Sequence, residues 1–167
     1  MLHLYCGNGK GKTTAAMGLA LRAAGRGKRV VIAQFLKGAD SGERFALEQL
    51  PQVTLLPVPN TVKFSFRMTE EERLAEAQRY QDLLKQIRQE AQTCFLLVLD
   101  EACAAVNTGL LPVEDLLSCL DSLECEVVLT GRDPAPQRME RADYITSMEA
   151  VRHPFEQGIT AREGIEF

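Results

Sequence analysis

Eight residues near the amino terminus, Gly7-Asn8-Gly9-Lys10-Gly11-Lys12-Thr13-Thr14, gather three glycines, two lysines and two hydroxyls into one short stretch. Glycines let the backbone turn tightly, so that successive N–H groups converge on one anion at the positive end of a helix. The apolar run Leu2-His3-Leu4-Tyr5-Cys6 precedes the stretch, and Ala15-Ala16-Met17-Gly18-Leu19-Ala20-Leu21 follows it. Strand, glycine-rich turn and helix start, in that order, are the context a phosphate-binding loop requires. Lys12 would bring a mobile positive charge to a triphosphate, and the Thr13 hydroxyl would sit on the Mg²⁺ that accompanies it. The strict pattern has a glycine five positions before Gly11, where this chain carries Cys6; its first glycine, Gly7, comes one place late. That shift hints at a nucleotide lying differently from the one in ordinary ATPases.

A second cluster completes such a site. Phe95-Leu96-Leu97-Val98-Leu99 is a strand-like run that ends in Asp100-Glu101. Ligands of parallel α/β sheets collect outside the carboxyl ends of strands, so Asp100 or Glu101 is expected to face the metal held by Thr13, directly or through water. Arg132 follows another strand-like run and could reach the triphosphate. These residues define a magnesium–nucleotide protein and go no further. The same loop serves phosphoryl transfer, a switch, or substitution elsewhere on the nucleotide.

The positioning elements are legible from period and punctuation. Residues 13–25 read as a helix, with Ala16, Leu19, Ala20 and Ala23 at helical spacing and Gly25 as its stop. Arg22 lies more than two turns into it and, taken alone, is a solvated charge. Residues 29–35 form a β-branched run without alternation, as expected of a strand covered on both faces. A turn at 37–42, a short helix over 43–50 and a strand over 53–58, cut by Pro57 and Pro59, come next. In residues 61–68, Val62, Phe64 and Phe66 alternate with Lys63, Ser65 and Arg67, the pattern of a half-buried strand or loop. Thr69-Glu70-Glu71-Glu72 has the spacing of a capping box, opening a helix that runs to about Gln92. Further elements are a helix over 113–123, strands at 126–130 and 144–148, and a candidate edge strand in the tail, 158–167. Without repeats or linkers, the 167 residues are expected to make one α/β domain with a mostly parallel sheet flanked by helices.

Composition narrows the classes. A net charge of −4 gives no electrostatic case for nucleic acid. No apolar run reaches membrane-span length, and residues 1–6 lack the character of a signal peptide. The five cysteines, Cys6, Cys94, Cys103, Cys119 and Cys125, form no Cys-x-x-Cys pair, and with only His3 and His153 beside them zinc is not expected. They read as small core residues in a cytoplasmic protein.

One ordered set of motifs adds a resemblance. The stretch at 7–14, Gln34-Phe35-Leu36-Lys37-Gly38, Ser41-Gly42-Glu43-Arg44, Leu99-Asp100-Glu101, Leu129-Thr130-Gly131-Arg132, Ala142-Asp143, His153-Pro154-Phe155 and Gly158-Ile159…Gly164-Ile165-Glu166 occur in this sequence. Together, over nearly the whole chain, they resemble the ATP:corrinoid adenosyltransferases of the BtuR/CobO type. That family shares the late first glycine. The resemblance implies a P-loop, RecA-like fold, usually a homodimer, that moves the 5′-deoxyadenosyl group of ATP to Co(I) of a corrinoid and releases tripolyphosphate. It implies ATP reversed in the loop, with Lys10 and Lys12 neutralising the leaving group, and a separate reductase supplying electrons. Arg22, Glu101 and Arg132 match family positions near the nucleotide. Phe64 and Phe66 fall where the family sets two aromatics, one of them Trp in its best-known members, against the lower face of the corrin. This chain has no Trp. Longer members carry an amino-terminal arm that helps cover the site, and here the sequence starts at the strand. The competing readings are a phosphotransferase such as a nucleoside kinase, a regulatory NTPase, and a nucleotide-dependent partner-binding protein.

Overall fold

Three of the strands are buried along all or nearly all of their length, two are partly buried, and the sixth, at one edge of the sheet, is exposed along its whole length. In chain order the elements are β1 (Leu2–Cys6), α1 (Lys12–Ala24), β2 (Val30–Gln34), α2 (Gly42–Leu47), β3 (Val53–Leu55), α3 (Glu70–Ala91), β4 (Leu96–Asp100), α4 (Ala102–Asn107), α5 (Val113–Asp121), β5 (Glu126–Thr130), α6 (Pro136–Arg141) and β6 (Tyr144–Ser147). The computed structural model describes residues 1–63 and 65–166. The six strands form one sheet in the order β3-β2-β4-β5-β1-β6, and every neighbouring pair is parallel.

Burial on both faces explains the unbroken apolar runs. Side chains alternate across a strand, so Val30, Ile32, Leu96 and Val98 meet Ala16, Met17, Ala20 and Ala23 of α1 on one face. Val31, Ala33, Leu97 and Leu99 meet Tyr80, Leu84, Ile87 and Ala91 of α3 on the other. Helix α3 starts where the capping box places it. Thr69 Oγ1 accepts from Glu72 N at 3.2 Å, and Glu72 Oε2 accepts from Thr69 N at 2.8 Å.

The structure departs from expectation at four places. β3 stops at Leu55; Leu56 N still donates to Ile32 O at 2.8 Å, and Pro57 then has no N–H to offer. Of the half-buried strand or loop expected at 61–68, the described residues make the loop, with Ser65–Arg67 a 3₁₀ turn leading into the cap of α3, but Phe66 is exposed rather than half-buried. The tail, 158–166, folds as turns rather than an edge strand. Two six-residue helices, α4 and α6, are additions. Neither has length enough to show a period, and helices this short depend on tertiary packing.

Candidate nucleotide site

The glycine-rich loop, Asp100, Glu101 and Arg132 gather at the carboxyl edge of the sheet. Among the described residues, three other than glycine have left-handed backbones, Leu36, Glu101 and Asp133, and they follow β2, β4 and β5 directly or nearly so. Such a conformation costs about 1–3 kcal/mol and persists where the surroundings enforce it. Leu36 is held by Tyr80, whose hydroxyl accepts from Leu36 N at 2.9 Å while its ring packs edge-on against Phe35. Glu101 is held through its N–H, which donates to Thr130 Oγ1 at 2.8 Å. The Asp133 turn is pinned by Asn107 Nδ2, which donates to the carbonyls of Arg132 and Asp133 at 3.0 Å each.

The glycine-rich loop leaves β1 beneath a crossing segment. A Cβ at Gly7 would stand 2.5 Å from Met148 O, and one at Gly9 would stand 2.7 Å from the same oxygen and from Glu149 C. The first two glycines therefore make room for the backbone after β6, which is bonded to the loop by Gly9 N to Met148 O at 2.6 Å and Ala150 N to Asn8 Oδ1 at 2.9 Å. Gly11, at φ 114°, caps α1 and turns the chain into the helix. Lys12 Nζ spans the loop, donating to Gly7 O at 2.8 Å and Gly9 O at 2.7 Å. Burial lowers its pKa, and Arg132 nearby acts in the same direction, against the pull of Glu101.

Asp100 is the hub behind the loop. It is wholly buried and accepts four hydrogen bonds: Thr13 Oγ1 and Thr130 Oγ1 to Oδ1, both at 2.8 Å, Gln34 Nε2 to Oδ2 at 3.2 Å and Lys37 Nζ to Oδ2 at 3.1 Å. Thr13 gives its proton to Asp100, so the lone pairs of its hydroxyl remain for a cation on the other side. Of the two acids expected at the metal, Glu101 lines the cleft, whereas Asp100 stands one step back and orients Thr13. Burial, reinforced by the charge of Asp100, raises the pKa of Glu101. An oxygen set of one hydroxyl and one carboxylate, with water and phosphate completing the shell, suits Mg²⁺.

The cleft holds about 690 Å³ and is lined by the loop residues Asn8–Thr14 together with Glu101 and Arg132. Gly7 is not among its lining residues. Arg22 is exposed near the carboxyl end of α1, about 15 Å of helix rise from Lys12, and does not line it. Phe66 also stands outside its lining, 77% exposed, with the Arg67 guanidinium 5.6 Å from its ring centre. Phe64 lies outside the described residues.

Several lining residues escape a reading of motifs as markers alone. Lys37 and Glu43 follow β2 as Asp100 and Glu101 end β4, and the rule that ligands gather beyond strand ends applies to them equally. Lys37 Nζ bridges Asp100 to Glu43 Oε1 at 2.7 Å, while Ser41 Oγ donates to Glu43 Oε2 at 2.7 Å. Although burial opposes the charged form of each, these bonds bring Glu43 down to about 2 and raise Lys37. His153 and the tail residues Gly164, Ile165 and Glu166 complete the wall, and Lys10 Nζ donates to Ile165 O at 2.9 Å. No local signal in the sequence joins the tail to the loop.

A phosphate loop at the end of β1, a helix beginning at its lysine and an acid at the end of β4 define a P-loop nucleotide-binding α/β protein. The fold of a KaiC-like protein from Pyrococcus horikoshii agrees, with a TM-score of 0.52 at 18% identity over 89% of this chain and 70% of that one. The family model for the ATP:corrinoid adenosyltransferases BtuR/CobO/CobP matches residues 1–167, and the chain belongs to that family. It is 34% identical over 171 residues to the corrinoid adenosyltransferase of Pseudomonas aeruginosa, covering 100% of this chain and 83% of that one. It is 33% identical over 174 residues to the corrinoid adenosyltransferase CobA of Salmonella typhimurium, covering 98% and 84%. Its activity is accordingly that of an ATP:corrinoid adenosyltransferase, which separates it from the kinases and regulatory NTPases that share the loop.

Proposed function

We propose that the loop Gly7–Thr14 holds the triphosphate of ATP as a leaving group while the ribose C5′ faces the corrinoid. The observation that carries this is the convergence of Lys10, Lys12, Lys37 and Arg132 around one loop whose amides open the cleft. Bond breaking at C5′ leaves negative charge on the departing tripolyphosphate, and fixed cations stabilise that charge in the transition state. Thr13 and Glu101 would hold Mg²⁺, which supplies further neutralisation of the phosphates when bound. Asp100 keeps the Thr13 hydroxyl aimed, and Arg132 reaches the phosphates from the β5 turn. Arg22, which the sequence resemblance sets near the nucleotide, stands outside this cleft and is given no part in holding the triphosphate.

Cobalt must reach Co(I) before it can attack C5′. Removal of the lower axial ligand eases that reduction, because an axial donor raises the orbital that receives the electron. Phe64 and Phe66 are the residues we assign to this exclusion, following the sequence resemblance, and Phe66 is 77% exposed. The Phe66→Ala variant is expected to retain activity with chemically pre-formed Co(I), yet to lose about tenfold or more when bound Co(II) must be reduced. Equal losses in the two assays would remove the wedge. Electrons would come from a separate reductase, and the enzyme would work as a cytoplasmic homodimer, as the sequence reading implies. Among the described residues no helix is long and apolar enough to cross a membrane.

The raised pKa of Glu101 sets a pH dependence. A cation binds the deprotonated carboxylate, so protons compete as the pH falls through the raised value. Mg²⁺-dependent ATP affinity should weaken on acidification, approaching about tenfold per pH unit for one linked proton. Titration calorimetry from about pH 8 to about pH 5 checks this, and Glu101→Gln should flatten the profile while weakening Mg²⁺. A pH-independent affinity in the unaltered protein would take Glu101 off the metal. The reaction itself is tested by products: ATP with reduced cobalamin should yield tripolyphosphate and a light-sensitive Co–C bond, and ADP with an unchanged corrinoid spectrum would refute it.

A further inference from the structure

At the opposite edge of the sheet, before β4 and β5 begin, two cysteines stand together. Leu96 and Glu126 open these strands as ladder partners, and Glu126 N donates to Phe95 O at 3.1 Å. Cys94 lies two residues before β4 and Cys125 one residue before β5, so they precede neighbouring strands with an offset of one residue, and their thiols interact. Both pack at the margin of the same apolar cluster and both are partly exposed, whereas Cys6, Cys103 and Cys119 are buried. A surface hollow of about 180 Å³ opens on Cys125, walled by Met1, Leu2, Leu120, Leu123 and Arg141. It gives a small oxidant a path to that sulfur.

We propose that Cys94 and Cys125 form a peroxide-reactive dithiol, a modification site at which Cys125 attacks the oxidant and Cys94 closes a disulfide. The hollow opens on Cys125, so that sulfur meets the oxidant first, and its interaction with Cys94 favours its thiolate. The amino-terminal amine adds to this, while burial and Glu126 oppose it. In the first step the Cys125 thiolate bonds to one peroxide oxygen, the O–O bond breaks and hydroxide leaves, giving a sulfenic acid. In the second, the Cys94 sulfur displaces that oxygen as water and the S–S bond forms. The two sulfurs together lose two electrons, and the peroxide becomes two waters. The site lies about 20 Å of strand from Asp100, so the cross-link ties β4 to β5 without entering the nucleotide cleft.

The full-length protein treated with hydrogen peroxide, then alkylated and mapped by mass spectrometry, tests this. The expected result is loss of two of the five alkylatable thiols, a peptide cross-linked between residues 94 and 125 within one chain, and full recovery with dithiothreitol. Cys94→Ser should stop at a sulfenic acid on Cys125 that dimedone traps. Five thiols still alkylatable after peroxide would overturn the proposal. So would over-oxidation of Cys125 without a cross-link, a bond between two chains, or a dimedone adduct on another cysteine.

Discussion

Replacing Lys12 by alanine is expected to lower kcat for adenosyl transfer by about 10²–10³-fold, the cost of removing a donor aimed at developing charge. Two charge-assisted hydrogen bonds at roughly 1.5–3 kcal/mol each give the same order of effect. The loss should fall on kcat more than on KM for ATP, because the leaving group gains its charge only as the C5′–O bond breaks. Folding should change little. The two carbonyls that Lys12 bonds, Gly7 O and Gly9 O, belong to a loop bordering the cleft, and the burial that lowers the lysine's pKa is itself a cost that alanine relieves. A stability change beyond about 1 kcal/mol would mean that Lys12 braces the loop rather than serving the reaction. Lys12→Arg should not rescue activity, since a planar guanidinium cannot occupy a channel that fits an ammonium between two carbonyls. Steady-state kinetics with chemically reduced corrinoid, beside urea unfolding of each variant, separates these outcomes.

The second large effect is structural. Asp100→Ala is expected to cost about 3–5 kcal/mol, as removing one partner of a buried charged pair does. That is a substantial part of the 5–15 kcal/mol typical of a folded domain. Alanine would leave Thr13, Thr130, Gln34 and Lys37 without the acceptor that all four now share. Asp100→Asn should recover little. Its carbonyl can still serve the two threonines, but its amide would then place a donor against Gln34 Nε2 and the Lys37 ammonium. Adding Lys37→Met to Asp100→Asn should restore part of the loss, since it removes the ammonium that the new amide would face, while Glu43 keeps its bond from Ser41. A shift in the urea midpoint equivalent to no more than about 0.5 kcal/mol for Asp100→Ala, the size of a surface change, would refute the four-donor hub.

These two residues differ in how far they can be read before the fold is known. Lys12 sits in a local motif: its neighbours supply the glycines, the strand and the helix start that give it meaning. Asp100 is visible as an acid at a strand end, yet its place behind Thr13 depends on β5 lying between β1 and β4 and bringing Thr130 alongside. Phe66 is a third case. Its alternation with Val62 is the pattern of a half-buried strand or loop; a 3₁₀ turn forms there, two residues ahead of the α3 cap, and leaves the ring exposed.

What the sequence by itself determined is local: the phosphate loop, the apolar strands, the Thr69–Glu72 cap, the acids after β4 and, through the order of its motifs, the family. These follow from neighbours in the chain, where backbone geometry and side-chain period act directly. The tertiary structure alone decided the strand order, the backbone after β6 crossing Gly7 and Gly9, the Lys37–Glu43 bridge, the tail against Lys10, and the meeting of Cys94 with Cys125. Each joins segments distant in sequence, and the packing of α1 and α3 on opposite faces of one sheet sets which of them meet.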